Sequence, residues 1–255
     1  MCPPKNVRTR QHNIISKLPE VIGDAKNAST KEQCWDLFVN AAITMNIVEC
    51  INIYIETIAN RYQDSSDVRP ITITELKALF GLLYLIGVYH SGRTSIFEFW
   101  ATDGTGIVIF PATVALRRCL RFDNKHTREE RKREDTLAPI RYVFEAVVKN
   151  FQKCYSIVQY STIDEILLAF RGRCSFRMYI PNKPARYGLK VFSLADTRTF
   201  YTLNLEIYAG KQPEGPYRVS NAAYDVVERI VKPITKSNRN ITMDNWFTSV
   251  ECAEN

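Results

Sequence analysis

Near residue 157 the spacing of apolar residues changes, and that change divides what the chain can fold into. Upstream, Trp35, Phe38, Ala42, Met45, Ile51, Ile55 and Ile58 recur every three or four residues, which predicts one long helix or two joined near residues 44–46. Ser29 or Thr30 can cap its start, with Glu32 and Gln33 in the first turn. Thr72 or Thr74 can cap the next helix, whose run Leu76–Tyr89 is apolar on nearly every side and is expected at the centre of a helical region. Residues 91–109 read as a short helix and a loop, Pro111 opens a helix to about Phe122, and residues 136–155 form an amphipathic helix. Downstream, Ser161–Phe170, Leu189–Ala195 and Phe200–Tyr208 are short strand-like runs, the last two joined as a hairpin by Asp196-Thr197-Arg198-Thr199. A helix over Val219–Val231 and a short strand over Asn240–Met243 follow, and that strand delivers Asp244.

Three strands, a helix and a fourth strand ending in a carboxylate is the order of the first half of an RNase H-like domain. The expected class is therefore α+β: an N-terminal α-helical region followed by the first half of an RNase H-like α/β domain. Residues 1–28, with Pro3, Pro4 and Pro19, read as a flexible lead-in, residues 29–157 as the helical region and residues 158–255 as the partial α/β domain.

Charge narrows the partners. The 255 residues carry a net charge of +7 and a pI near 9.0, which favours an acidic partner, nucleic acid first. The seven cysteines are scattered without metal-ligand spacing and fit reduced, mostly buried thiols. No secretory leader is visible at the start, and the longest apolar run, Ala78–Tyr89, is too short to span a bilayer, so no membrane partner is expected. His12, His90 and His126 lie far apart and suggest no Ser-His-Asp or Cys-His constellation.

The densest signal runs from Ser161 to Lys190. An Asp-Glu pair, Asp164 and Glu165, precedes Arg171, Arg173, Arg177, Lys183, Arg186 and Lys190, with no acid among the cations and with Phe176, Tyr179 and Tyr187 between them. Cations interleaved with aromatics suit a polyanion whose backbone needs neutralising and whose sugars or bases offer flat faces. A carboxylate just upstream is where phosphoryl-transfer chemistry would hold a metal. Glu165 alternates to the other face of the strand and is not counted with Asp164. A second basic run, Arg117, Arg118, Arg121, Lys125, Arg128, Arg131, Lys132 and Arg133, is interrupted by five acids and reads equally as a salt-bridged surface or as DNA contact. Trp246, beside Asp244, reads first as packing that fixes a strand-to-helix turn, and second as a ring that could stack on DNA.

T-I-D-E at Thr162, F-R-G-R-C-S-F-R-M-Y-I-P-N-K-P-A-R-Y-G-L-K from Phe170 to Lys190, and M-D-N-W-F-T-S from Met243 to Ser249 together resemble the signature of piggyBac-type DNA transposases and the host genes derived from them. The resemblance extends through L-K-A-L-F-G-L-L-Y-L-I-G-V-Y (Leu76–Tyr89) and R-E-D-T-L-A-P-I-R (Arg133–Arg141) and covers roughly residues 30–255. It implies Mg²⁺-dependent cut-and-paste DNA transposition in the nucleus, with Asp164 and Asp244 as the first two catalytic, metal-binding aspartates and Arg171, Arg173, Arg177, Lys183, Arg186 and Lys190 as DNA-binding residues. It also implies that the helical region dimerises and binds DNA, with a homodimer as the possible assembly; no organic cofactor is implied.

The family's third catalytic carboxylate lies well downstream on a helix, and Glu251 and Glu254 are too close to Asp244 to replace it. The 255 residues are therefore expected not to cut DNA alone. Two functions stay open: a piggyBac-like transposase-derived protein, or a domesticated, non-catalytic DNA-binding protein or dimerisation partner.

Overall fold

The computed structural model describes residues 14–61, 68–90, 118–250 and 252. The elements expected over residues 91–109 and 111–117, together with His12, Trp100, Arg117, Glu251 and Glu254, lie outside them. In chain order the helices are α1 (Lys31–Phe38), α2 (Ala41–Ile58), α3 (Ile73–His90), α4 (Lys125–Arg131), α5 (Arg141–Cys154) and α6 (Ala223–Val231). The strands are β1 (Glu20–Val21), β2 (Tyr155–Ser156), β3 (Tyr160–Ala169), β4 (Met178–Tyr179), β5 (Tyr187–Asp196), β6 (Thr202–Ile207) and β7 (Asn240–Thr242). They form two compact units: Val39–Arg133 with Leu137–Val143, and Met1–Phe38 with Glu134–Thr136 and Phe144–Asn255.

The first unit is helical. The break before α2 falls at Asn40, not at residues 44–46, because Asn40 holds an extended backbone and its side chain accepts a hydrogen bond from Ile43 N at 3.1 Å. From there Ile43, Ile47, Ile51, Ile55 and Ile58 make one buried row. The stretch Ala41–Arg61 is long and apolar enough to cross a membrane by length and composition, yet this row is packed inside the unit, as in the core helix of a folded domain. Helix α3 starts in a capping box: Glu75 N donates to Thr72 Oγ1 at 3.3 Å while Thr72 N donates to Glu75 Oε2 at 2.8 Å. Leu76, Leu79, Leu82 and Ile86 are buried, but Leu83, Tyr84, Leu85 and Val88 are exposed, so α3 is not enclosed on all sides as its composition suggests. Asn52 joins the two helices' surroundings by accepting from Ile71 N (2.8 Å) and donating to Ile71 O (3.2 Å).

The second unit is built on a five-stranded sheet. Strand β3 pairs antiparallel with β5 on one side and parallel with β7 on the other, while β4 and β6 both pair antiparallel with β5. Apart from the short β4, three strands, a helix and a fourth strand is the order expected from the sequence. Alternation puts Ile163, Phe192 and Leu194 on one face, where they are buried with Val226, Val227 and Ile230 of α6 and with Phe247. Arg229 of α6 grips Glu206 of β6 through two hydrogen bonds of 2.8 and 2.7 Å, and Asn204 Nδ2 donates to Ile230 O at 2.8 Å. Phe38, Phe151, Tyr155 and Tyr201 cluster with ring centroids 5.1–6.4 Å apart, and burial pushes the Tyr201 phenol up in pKa while it donates to Phe151 O. Of the described cysteines only Cys50 and Cys154 are buried and Cys34 is exposed, so the thiols are less buried than their scatter suggests.

Residues 14–28 are not a loose lead-in. Strand β1 pairs with β2, Ile22 N donates to Cys154 O, and a 3₁₀ turn spans Gly23–Asn27. Further back, Lys17 O accepts from Arg239 Nη2 at 3.0 Å and Ile14 O from Asn238 Nδ2 at 2.8 Å. These are backbone groups recruited by distant side chains, which local composition cannot reveal.

Asp196 closes the β5–β6 turn. Its side chain is buried, 1% exposed, and accepts from Val158 N (2.7 Å), Arg198 N (2.8 Å) and Thr199 N (2.9 Å). Burial opposes its ionisation, but these backbone donors outweigh burial and hold the carboxyl below its usual pKa. A depressed carboxylate stabilises the fold above the unfolded pKa and loses that contribution as pH falls through the folded value. Asp196→Asn is expected to cost about 2–4 kcal/mol at pH 7, since charge-assisted hydrogen bonds contribute about 1.5–3 kcal/mol each. Its urea midpoint should also fall less steeply than wild type below pH 4; parallel acid limbs would assign the acid sensitivity elsewhere. A Cβ on Gly188 would lie 2.2 Å from Leu168 O, so Gly188→Ala must separate β3 from β5 and should lower stability by about 1–3 kcal/mol in the same titration.

Candidate functional site

The central strands β3 and β7 bring together the segments that lead to the two carboxylates. Tyr160 lies opposite Asn240, Ser161 opposite Ile241 and Thr162 opposite Thr242 in a parallel pair. Asp164 and Asp244 each lie two residues beyond the last of these pairs, Thr162 with Thr242, whose strands run about 4.8 Å apart. Strand β7 ends at Thr242, so Asp244 stands just beyond it, at the head of the turn 245–247. Both aspartates are exposed.

Each carboxylate is anchored through one oxygen. Asp244 Oδ1 accepts from Trp246 N at 2.9 Å and Phe247 N at 3.3 Å, so Asp244 does cap the turn that follows it. Asp164 Oδ1 accepts from Glu165 N at 2.7 Å. The Oδ2 atoms of both have no hydrogen bond to the described residues. Below Asp164, the buried Ser193 on β5 donates its hydroxyl to Asp164 O at 3.2 Å and fixes the strand at that point. Glu165 is on the opposite face, across from Phe192, as alternation requires.

The six cations of the basic segment are not equivalent. Lys183 reaches back to Glu165, with Nζ 3.2 Å from Oε1 and 3.3 Å from the backbone oxygen, so an acid outside the segment neutralises it. Lys190 sits among rings: its Nζ is 4.7 Å from the Trp246 centroid, 4.9 Å from Phe192 and 5.9 Å from Tyr208. Trp246 stacks on Phe192 at 5.6 Å and 10°, which agrees with its reading as packing at the junction. Arg177 donates to Arg171 O and Gly172 O, both at 3.1 Å, and tightens the loop without using an acid. Arg171, Arg173, Arg177 and Arg186 are all exposed.

The second basic run is largely self-neutralised. Asp123 is buried and takes bonds from Arg128 Nε (3.0 Å) and from Arg131 Nη2 (2.6 Å), and Lys132 pairs with Glu129 at 3.3 Å. Arg121 lies over the Tyr54 ring at 3.7 Å. His126 is on α4, its Nε2 3.4 Å from Thr57 Oγ1.

Sequence reasoning singled out Asp164 and Asp244 as candidates but missed Ser193, the Lys183–Glu165 pair and the ring cage of Lys190. Only the period-2 alternation of β5, which sets Lys190 and Phe192 on one face, carried a hint of the cage.

The family model described as Transposase IS4 matches residues 30–255. Human PiggyBac transposable element-derived protein 3 is 23% identical over 198 residues, covering 75% of this chain and 33% of that protein. The human chimeric ERCC6-PGBD3 protein is likewise 23% identical over 198 residues, 75% of this chain and 19% of that one. A solved cryo-EM structure of a piggyBac transposase synaptic complex with hairpin DNA superposes with a TM-score of 0.79 at 31% identity, over 93% of this chain and 50% of that one. The chain thus spans a third or less of the length of these curated relatives and half of the solved transposase. With the family model matched over most of its length and piggyBac proteins among its relatives, the chain belongs to the Transposase IS4 family and, within it, is a piggyBac-like transposase-derived protein.

Proposed function

We propose that the sheet unit carries two ligands of a DNA-cleaving and DNA-joining centre and, beside them, a DNA-backbone surface. The observation that carries this reading is the parallel register of β3 and β7, which pairs Thr162 with Thr242, each two residues before one of the aspartates. The family implies dependence on a divalent metal in general. Two hard carboxylate oxygens, each left without a hydrogen bond to the described residues while its neighbour is pinned, fit Mg²⁺, which takes one or two carboxylates and fills its shell with water and phosphate oxygens. Such an ion would polarise the scissile phosphate and stabilise the attacking or leaving oxygen. Asp164 and Asp244 would orient it, and the Trp246 and Phe247 amides would keep the Asp244 carboxylate in place.

DNA is the partner we assign to the exposed Arg171, Arg173, Arg177 and Arg186, which have no acid against them among the described residues. Lys183 and Lys190 then serve to hold the loop and the Trp246 turn. A nuclear location and a homodimer belong to the same proposal, as the setting in which a DNA-acting protein of this family would work.

Neutralising Arg171, Arg173 and Arg177 to Gln should reduce the slope of log affinity against log salt by about one unit per lost phosphate contact, measured by anisotropy on a duplex. Lys183→Gln should leave that slope unchanged. A slope unaltered by the arginine changes would move the contact surface away from this segment. The purified 255-residue chain should bind duplex but not nick it with Mg²⁺, because a two-metal displacement needs more carboxylates than this pair. Isothermal titration with Mn²⁺ should show weak binding abolished by Asp164→Asn or Asp244→Asn. Nicking that either substitution removes would mean that further ligands come from within the chain or from a second copy; metal binding unaffected by both would sink the site.

A further inference from the structure

Two aromatic rings at the far end of the sheet are left outside every core. Tyr179 on β4 lies directly opposite Tyr187 on β5, their centroids 4.7 Å apart at 37°, and they are 54% and 48% exposed. Large exposed aromatic surface in a folded domain is costly and tends to mark a contact site. Here it is also pre-organised. The β4–β5 pairing fixes both backbones, Arg177 lies 5.5 Å from the Tyr187 centroid, and Arg186, with φ of +51°, turns the chain tightly into β5. Arg177 and Arg186 flank the pair in the chain and are exposed, as are Arg171 and Arg173 earlier in the same loop.

We propose that Tyr179 and Tyr187 form a stacking platform for an unpaired DNA base, the flanking arginines holding the phosphates on either side. This rests on the DNA-binding reading above and deepens it. A continuous duplex turns its phosphates outward and hides its base faces, so arginines alone suffice to hold it. Flat rings set between cations recognise a strand whose bases are free to stack, whatever their sequence. The platform is not at the carboxylates. Tyr187 is six residues along β5 from Ser193, which lies opposite Asp164, a separation of about 20 Å along the strand. The base held there is therefore several nucleotides away from any phosphate at Asp164.

The test uses the full 255-residue chain and two oligonucleotides containing 2-aminopurine, one single-stranded and one with the probe in the interior of a duplex. Wild-type protein should bind both and quench the probe only in the single strand. The double variant Tyr179→Ala/Tyr187→Ala should bind the single strand about tenfold more weakly, without quenching, as expected for the loss of base–aromatic stacking. Its duplex affinity should stay within about twofold. Tyr179→Phe/Tyr187→Phe should retain both affinity and quenching, which separates stacking from the hydroxyl groups and from loss of fold. Unchanged single-strand binding in the alanine variant, or an equal loss on duplex with the melting curve intact, would overturn the platform alone. A wild-type chain that binds neither oligonucleotide would overturn the platform together with the DNA-binding reading.

Discussion

The placement of the two aspartates depends on how the starts of β3 and β7 are tied together. Arg239, the residue before β7, donates to Ile157 O and Val158 O at 2.9–3.2 Å, just ahead of β3, and Asn240 N donates to Gln159 O at 2.8 Å. Burial lowers the pKa of the Arg239 guanidinium, and the nearby Asp196 charge acts to raise it. Asp196 in turn accepts from Val158 N, so one buried carboxylate and one guanidinium hold the same short link from both sides. A slip of one residue between parallel strands turns every side chain to the other face. Were β7 to slip by one, Thr162 would lose Thr242 as its partner, and the segment that carries Asp244 would shift by about 3.3 Å along β3.

Much of this was legible in the sequence. Alternation in β3, β5 and β6 and the helical row of α2 are local patterns, and both appear as elements where they were expected. Asp164 and Asp244 could be singled out as candidates because motif order is also local. What escaped depends on pairing across the chain. The exact cap at Asn40 is one of several polar choices until the backbone shows which residue is extended. Lys183 looks unopposed because Glu165, its partner, lies eighteen residues upstream. Lys190 looks like a phosphate ligand because Phe192, Tyr208 and Trp246 come from three separate places in the chain.

Within the basic segment, charge is divided between architecture and surface. The Lys183 ion pair and the Lys190 cage use cations at short range, where partial desolvation strengthens them. The exposed arginines act at long range in water, where salt screens them over about 8 Å at physiological ionic strength. A count of cations therefore overstates what such a strand loop can offer a polyanion. The figure that matters is the number without an internal partner.

The interleaving of the two units has a consequence for how the chain acquires its structure. Strand β1, at residues 20–21, cannot find its partner until residues 155–156 exist, and the sheet unit regains the chain in earnest only after Phe144. The helical unit is assembled almost entirely from the intervening stretch, with local contacts such as the α2 and α3 caps available at once. During synthesis it can condense first, while the early segment stays tethered and unpaired. Closing a loop of that length delays the sheet, whose own pairing is already non-local. The carboxylate pair, which needs both β3 and the late β7, is thus among the last features of the molecule to form.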